Sequence, residues 1–485
     1  MCIRDRDITV KNKVFSNFIW RFAEQCGAQG VSFLVAIILA RLLSPNDYGT
    51  VALLTVFISF LNVFVDSGMG NALIQKKNAD NIDFSSVFYF NIVWCLFLYG
   101  VLYACAPSIA DFYDNPQLIS LTRVAGLTIV ISGVKNIQQA YISRNMQFKK
   151  FFFSTLFGTI TSAVVGIIMA YEGFGAWALV AQNLTNAFID MIFLWVTVKW
   201  RPQKVFKLSR LKTLFSFGWK LLASGLIDNI YNNLRQLIIG KMYSSSDLAY
   251  YNKGKSWPYM IIMNINSSID SVLLPTMSKA QDSAVQVKNM TRRAIKTSVY
   301  VMAPLLMGMF FLATPLISLI LTDKWLPSVP FMRIFCITFM FYPIHTANLN
   351  AIKAMGRSDL FLKLEIIKKI VGCILLASTM WFGVKAMAYS MLVSSVISQI
   401  INSWPNRKLL NYNYQEQLKD IVPSILLAIF MGGCIVWIPM VGLPQIPTVI
   451  IQMIIGAMIY IIGSIVFKLE SFWYLWNIIK SYLKK

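Results

Sequence analysis

The chain has 485 residues, of which 57% are hydrophobic and only 13% charged, with a mean hydropathy of +0.60. That leaves too little polar material to coat a soluble core of this size, so the composition describes an integral membrane protein. A net charge of +23 could suggest a nucleic-acid binder, but the Lys and Arg fall in short loops between apolar runs rather than in a patch interleaved with aromatics, which excludes that class.

Taken in order, the opening Met1–Asp7 is charged and lacks the apolar core of a signal peptide; it reads as part of a cytoplasmic tail over 1–17, or as a vector-derived remnant. A helix crossing a hydrocarbon layer of about 30 Å needs about twenty residues. Apolar segments of that length fall at 18–42, 49–69, 84–106, 118–142, 151–171, 175–198, 214–240, 248–274, 295–321, 329–352, 362–382, 385–404, 419–438 and 446–467, which predicts an all-α polytopic protein with about fourteen spans.

The loops support that count. Odd-numbered loops carry little positive charge, with Lys241, Lys324 and Lys385 as the exceptions, whereas even-numbered loops carry Lys76, Lys77, Arg144, Lys149, Lys150, Lys288, Arg292, Arg293, Lys353, Arg357, Arg407 and Lys408. The densest is the run from Lys199 to Lys212, with six Lys/Arg and no acid. Positive charge accumulates on the cytoplasmic side, which puts the even loops and both termini there.

A weak internal repeat appears at an offset of about 200–210 residues. Arg41–Asp47 after span one matches Lys241–Asp247 after span seven. Gly173–Ala178 matches Gly383–Ala388, and Arg123 matches Arg333 at the head of spans four and ten. Two six-helix bundles are therefore expected at 18–198 and 214–404, joined by a basic linker at 199–213 and followed by two further helices and a tail over 405–485. An even number of spans per half puts the symmetry axis along the bilayer normal, with a central cavity between the halves.

Ionisable groups at bilayer depth cost about 2.5–3.5 kcal/mol each on insertion scales, so they call for partners or water. In span seven Asp228, Asn232 and Arg235 share one helical face, with Asn229, Asn233 and Gln236 beside them. That face is either an interhelical clamp in which Asp228 and Arg235 neutralise each other, or a cavity wall. Span one has Arg21 and Glu24 one turn apart. Span four carries Lys135, Asn136, Gln138 and Gln139, and span ten carries His345, Asn348, Asn350 and Lys353 in the corresponding region. Lys135 lies too deep to snorkel comfortably and suits an anionic cargo; His345 reads as a packed, hydrogen-bonded residue rather than a proton relay. Asp66, Asp190 and Asp270 are single acids that could cap, pair or hold a coupling cation.

No phosphate loop, metalloprotease motif or nucleophile elbow occurs, and the Asp5-Arg6-Asp7 triplet has no sheet to present it, so neither an enzyme activity nor a cofactor or metal is expected. The seven scattered cysteines read as packing residues, and the Asn-x-Ser/Thr triplets at Asn183, Asn266 and Asn289 lie in spans or a cytoplasmic loop.

The stretches Ala40–Gly49 and Asp66–Lys76, with Tyr250-Tyr251-Asn252-Lys253-Gly254, Val272–Asp282 and Asp323-Lys324-Trp325, resemble the bacterial lipopolysaccharide and exopolysaccharide exporters of the Wzx type, especially the colanic-acid exporter branch, over roughly residues 15–410. The resemblance implies an inner-membrane flippase of the multidrug/oligosaccharidyl-lipid/polysaccharide exporter superfamily. It would carry a polyprenyl-pyrophosphate-linked oligosaccharide by alternating access, among membrane lipids and other polysaccharide-assembly proteins. The family offers no residue signature to transfer, so the candidate sites rest on the polar faces. Arg21, Lys135, Gln138, Gln139, Asn232, Arg235 and Asn348 would meet substrate, and Glu24 and Asp228 would couple an ion. A cation-coupled drug antiporter of the same superfamily should show an acid-dominated cavity. A membrane glycosyltransferase or polymerase should carry a large outer loop or a catalytic acid site, and a membrane scaffold would not need so many buried polar faces.

Overall fold

The computed structural model describes residues 27, 29–66, 69–76 and 78–483; the expected tail at 1–17, Arg21, Glu24, Cys26 and the side chain of Asp66 lie outside the described residues. The described residues are mostly helical and contain no strand. In chain order the helices are α1 (Gln29–Leu42), α2 (Pro45–Asp66), α3 (Met69–Gln75), α4 (Asn81–Phe112), α5 (Gln117–Ala125), α6 (Leu127–Arg144), α7 (Phe148–Tyr171), α8 (Ala176–Thr197), α9 (Leu208–Met242), α10 (Ser245–Lys279), α11 (Ala284–Phe311), α12 (Ala313–Leu321), α13 (Val329–Met340), α14 (Tyr342–Ala354), α15 (Ser358–Thr379), α16 (Val384–Leu409), α17 (Tyr414–Ile435), α18 (Gln445–Val466) and α19 (Glu470–Leu483).

Among the described residues ten segments are long and apolar enough to cross a membrane. Spans four and ten run through the pairs α5–α6 and α13–α14. The described part of span one is the shorter α1, and spans seven, eight and eleven fall on α9, α10 and α15. These last three carry the charges that lower their hydropathy: Lys220, Asp228 and Arg235 in α9, Lys253, Lys255 and Asp270 in α10, and Lys363, Glu365, Lys368 and Lys369 in α15. An amphipathic helix, α19, follows α18 where the sequence suggested only a tail.

The chain forms two compact units, one up to Ala249 and one from Tyr250 onward. The division lies beyond the basic linker because α9 packs on α2, α3 and α4 of the first unit. The linker itself is anchored. Trp200 is buried against Phe84, Phe88 and Tyr141, and the backbone N–H groups of Gln203 and Lys207 donate to the hydroxyls of Ser85 (2.9 Å) and Ser86 (3.1 Å) at the start of α4.

Within each unit the loops segregate by number. In the first, Lys76 pairs with Asp83 (2.6 Å), Arg210 reaches Asp80 and Asp83, and Arg144 caps the carbonyls of Leu73, Ile74 and Lys76, which gathers loops two, four and six. Loops three and seven meet through Lys241 and Asp114 (3.2 Å), and loops one and five through Asp47 and Gly175. In the second unit Lys288, Arg292 and Lys296 of α11 meet Glu416, Asp420 and Glu470, which joins loops eight and twelve to α19.

The internal repeat is visible in hydrogen bonds. Ser44 and Asp47 form a reciprocal cap at the start of α2, with Asp47 Oδ2 accepting from the Ser44 backbone (3.0 Å) and hydroxyl (2.6 Å); Ser244 and Asp247 do the same at the start of α10 (3.3 and 2.7 Å). The turn that ends α6 and the turn that ends α14 share one bonding pattern. Asn145, Met146 and Gln147 donate to Tyr141, Ser143 and Ile142, and Met355, Gly356 and Arg357 donate to Ala351, Lys353 and Ile352. Each has a left-handed residue at the equivalent place, Met146 (φ 52°) and Gly356 (φ 72°).

Two glycines are required by close approach. A Cβ at Gly49 would stand 1.7 Å from the Ser245 carbonyl oxygen, and one at Gly254 would stand 2.6 Å from Phe331 Cβ and 2.8 Å from the backbone of Ser328 and Met332. Around Gly254, Tyr250 meets the fully buried Trp325 edge-on, Lys253 lies over the same indole, and Tyr251 packs on Phe331 and Phe335. Gly254→Val should therefore lower thermal stability in detergent by about 1–3 kcal/mol or more. Gly100→Ala, whose added methyl meets nothing within 4 Å, should not lower it.

Candidate substrate-handling site

Helix α6 carries four polar residues in little more than a turn, and the structure gives them different roles. Lys135 Nζ lies 2.9 Å from Asp190 Oδ2 on α8, with both side chains largely buried, at 18% and 12% exposure. The ammonium that suited an anionic cargo is thus already neutralised. Asn136 is buried and donates to the Val65 carbonyl of α2 (3.4 Å). Gln138 is fully buried and donates to the Trp200 carbonyl (3.3 Å), which ties α6 to the linker. Gln139 is half-buried and makes no hydrogen bond among the described residues.

The polar stripe of α9 is shared between two surroundings. Asn229 and Asn233 turn to Ser59 of α2: the Asn229 amide donates to the Ser59 carbonyl (3.4 Å), and Asn233 Nδ2 lies 3.5 Å from the Ser59 hydroxyl. Gln236 continues the chain of amides by donating to Asn233 Oδ1 (3.2 Å). Asp228 and Asn232 are exposed, and Arg235 is half-buried. One side of the stripe is therefore a clamp on α2, and the other faces away from it. Helix α2 links the two polar helices, since it also accepts from Asn136 of α6.

In the second unit the place of Lys135 is taken by His345, and the partners are neutral: His345 Nδ1 lies 3.1 Å from Asn402 Nδ2, and Nε2 lies 3.4 Å from Ser395 Oγ of α16. Asn348, expected to meet substrate, is fully buried. Its Nδ2 donates to Gln417 Oε1 (2.8 Å) and the Ile344 carbonyl, and its Oδ1 accepts from Asn406 (2.6 Å) and Gln417 (3.2 Å). Asn348 thus locks α14, α16 and α17 together, a role that the sequence reading missed because its partners lie more than fifty residues away. Asp270 meets Asn350 of α14 at 2.5 Å. Among the described residues no group of three or more His, Cys, Asp or Glu is placed to hold a metal, and no disulfide joins two of the cysteines.

The profile of a family described as "Polysaccharide biosynthesis protein" matches residues 38–330. The chain belongs to that family. It is 24% identical over 376 residues to the teichuronic acid biosynthesis protein TuaB of Bacillus subtilis (strain 168), covering 77% of this chain and 78% of that protein. Against the lipopolysaccharide biosynthesis protein WzxC of Escherichia coli (strain K12) it is 19% identical over 398 residues, 82% and 80% of the two chains. In structure it superposes on the lipid II flippase MurJ, in an inward closed conformation, with a TM-score of 0.72 and 15% identity over 94% of this chain and 98% of that one. This chain is thus a membrane protein of the polysaccharide biosynthesis family that shares the fold of the solved flippase MurJ.

Removing one partner of a buried ion pair strands the other charge at a cost of about 3–5 kcal/mol, whereas replacing both by apolar groups is far cheaper. Lys135→Met should therefore destabilise the purified protein strongly, and Lys135→Met/Asp190→Leu should recover most of the loss in a thermal melt. A double variant no more stable than the single one would refute the pairing as the reason.

Proposed function

We propose that this protein moves a polyprenyl-pyrophosphate-linked oligosaccharide from the cytoplasmic to the outer leaflet of the bacterial inner membrane by alternating access, in the biosynthesis of a cell-surface polysaccharide. The observation that carries the reading is the fold shared along nearly the whole chain with a protein named for flipping lipid II, in a chain whose family is polysaccharide biosynthesis. The basic even-numbered loops support cytoplasmic termini. The repeat supports two six-helix halves, at 18–198 and 214–404, with two helices added, fourteen spans in all.

Arg235, Asn232 and Gln139 are the residues we assign to the headgroup, because they lie on polar helix faces without being fully buried. A guanidinium meets the pyrophosphate and the amides meet sugar hydroxyls. Arg21 joins them by its place in span one, and Asp228 and Glu24 are the acids that couple an ion. Lys135 contributes differently. A pyrophosphate that draws its ammonium away leaves Asp190 buried and unpaired, which couples headgroup binding to the contact between α6 and α8. Gln138 and Asn348 act as positioning residues that hold α6 and α14 in place.

Deletion of the gene should leave lipid-linked repeat units on the cytoplasmic face of the membrane, as read by their resistance to a glycosidase added from outside to spheroplasts. Complementation with Asn232→Ala/Arg235→Gln should restore folded protein but lower export about tenfold or more. Unchanged glycan export in that variant would remove the α9 face from the substrate path. Drug resistance that follows the gene without any change in glycan would replace the reading with the drug antiporter.

A further inference from the structure

Arg123 on α5 is a half-buried cation of the first unit. Its guanidinium stacks over the Tyr103 ring at 4.2 Å, but it makes no hydrogen bond or ion pair among the described residues, and its Nε is buried without an acceptor. In front of it lies a cavity of about 410 Å³ between α4 and α5, lined by Tyr99, Tyr103, Ser120, Arg123 and Leu127 among others. The repeat supplies an internal control. Arg333, the matching residue of the second unit, donates to the Phe310 carbonyl (3.3 Å) and to Thr314 Oγ1 (3.3 Å), so its donors are used within the chain. The guanidinium of Arg123 borders the cavity, and an acceptor bound there would satisfy donors that the described residues leave unmade.

The surroundings define the ligand. A planar guanidinium with a free edge suits a phosphate, which accepts two parallel hydrogen bonds. On the face of α4 that carries Tyr99 and Tyr103 the surface continues through Leu96, 51% exposed, and Leu127 of α6 borders the cavity at 37% exposure, an apolar strip of no use to a water-borne anion. Depth agrees. Helix α4 has 32 residues, roughly 48 Å, so it overshoots a 30 Å hydrocarbon layer by roughly 9 Å at each end. Tyr103 stands nine residues before Phe112, roughly 14 Å from that end, which puts its ring just inside the headgroup boundary where tyrosines concentrate. Acyl chains on α4 with a phosphate at Arg123 is the geometry of a lipid in the leaflet beside the turn at Asp111–Asn115.

We propose that the cavity between α4 and α5 is a binding site for an anionic phospholipid, its phosphate held by Arg123 between Tyr99, Tyr103 and Ser120 and its chains laid along Leu96 and Leu127. The site is independent of the cargo path: it lies on a different face from the α9 stripe and holds whether or not the protein flips a glycan lipid.

Native mass spectrometry of the full chain in detergent with added phosphatidylglycerol tests it. The wild type and Arg333→Gln should retain one phosphatidylglycerol more than Arg123→Gln at matched lipid, with affinity lowered about tenfold or more by the substitution. Ser120→Phe, which fills the cavity and leaves the arginine in place, should abolish the same adduct, so a folding defect of Arg123→Gln cannot decide the result. Phosphatidylcholine should be retained less well. Equal retention by all the variants would overturn the site. Displacement of the lipid by millimolar inorganic phosphate would assign the arginine to a free anion, and retention of polyprenyl pyrophosphate in preference to phosphatidylglycerol would assign it to the cargo; either overturns the phospholipid assignment.

Discussion

Inside a bilayer no water stands ready to take up a hydrogen bond that a side chain leaves unmade, and each polar group carried into the spans must find its partner on another helix. The contact between Lys135 of α6 and Asp190 of α8 is the strongest case in this protein. Two charges that would each resist insertion are buried at 2.9 Å from one another, and they hold the fourth and sixth spans of the first unit together. The amide chain from Gln236 through Asn233 and Asn229 to Ser59 does the same with weaker bonds between α9 and α2. These polar contacts serve two purposes, since a pair that is satisfied only by its partner is also a pair that a competing ligand can open.

The two halves of the repeat meet this constraint with different chemistry on the same backbone. The caps at Ser44–Asp47 and Ser244–Asp247 and the turns after Tyr141 and Ala351 are bonded alike, because each depends only on a few residues close in sequence. The interhelical contacts are not alike. An ammonium and a carboxylate join the fourth and sixth spans, whereas an imidazole, an amide and a hydroxyl join the tenth and twelfth. The α6–α8 contact of the first unit is therefore ionic, whereas the matching α14–α16 contact of the second is neutral, beside the amides of Asn348 and Gln417. A backbone can be kept while such contacts change, since fold and cargo are separable properties.

The motifs that carry the family resemblance turn out to be packing devices. Gly49 lets the capped starts of α2 and α10 touch, and Gly254 lets α10 lie against the turn into α13, where Tyr250, Tyr251, Lys253 and Trp325 converge. These residues specify how the helices are joined. Gly70 of the same motifs lies close against Asn136 of the polar stretch on α6, where a Cβ would stand 2.7 Å from its Oδ1, so motif and candidate site meet there.

The helical segments, the basic loops between them, the repeated caps and the family were legible in the chain itself, because each rests on a local property: a run of apolar residues, a cluster of lysines, a cap four residues long. The polar residues were legible too, as residues that lipid would not tolerate. Their partners were not. That Lys135 belongs to Asp190, Asn348 to Gln417 and Asn229 to Ser59 depends on which helices lie side by side and how each is turned, and these pairs are separated by 55 to 170 residues. Hydropathy reports how costly a side chain is in the membrane, whereas only the packed structure decides which neighbour offsets the cost, and so whether the group is a clamp or is left to meet a ligand.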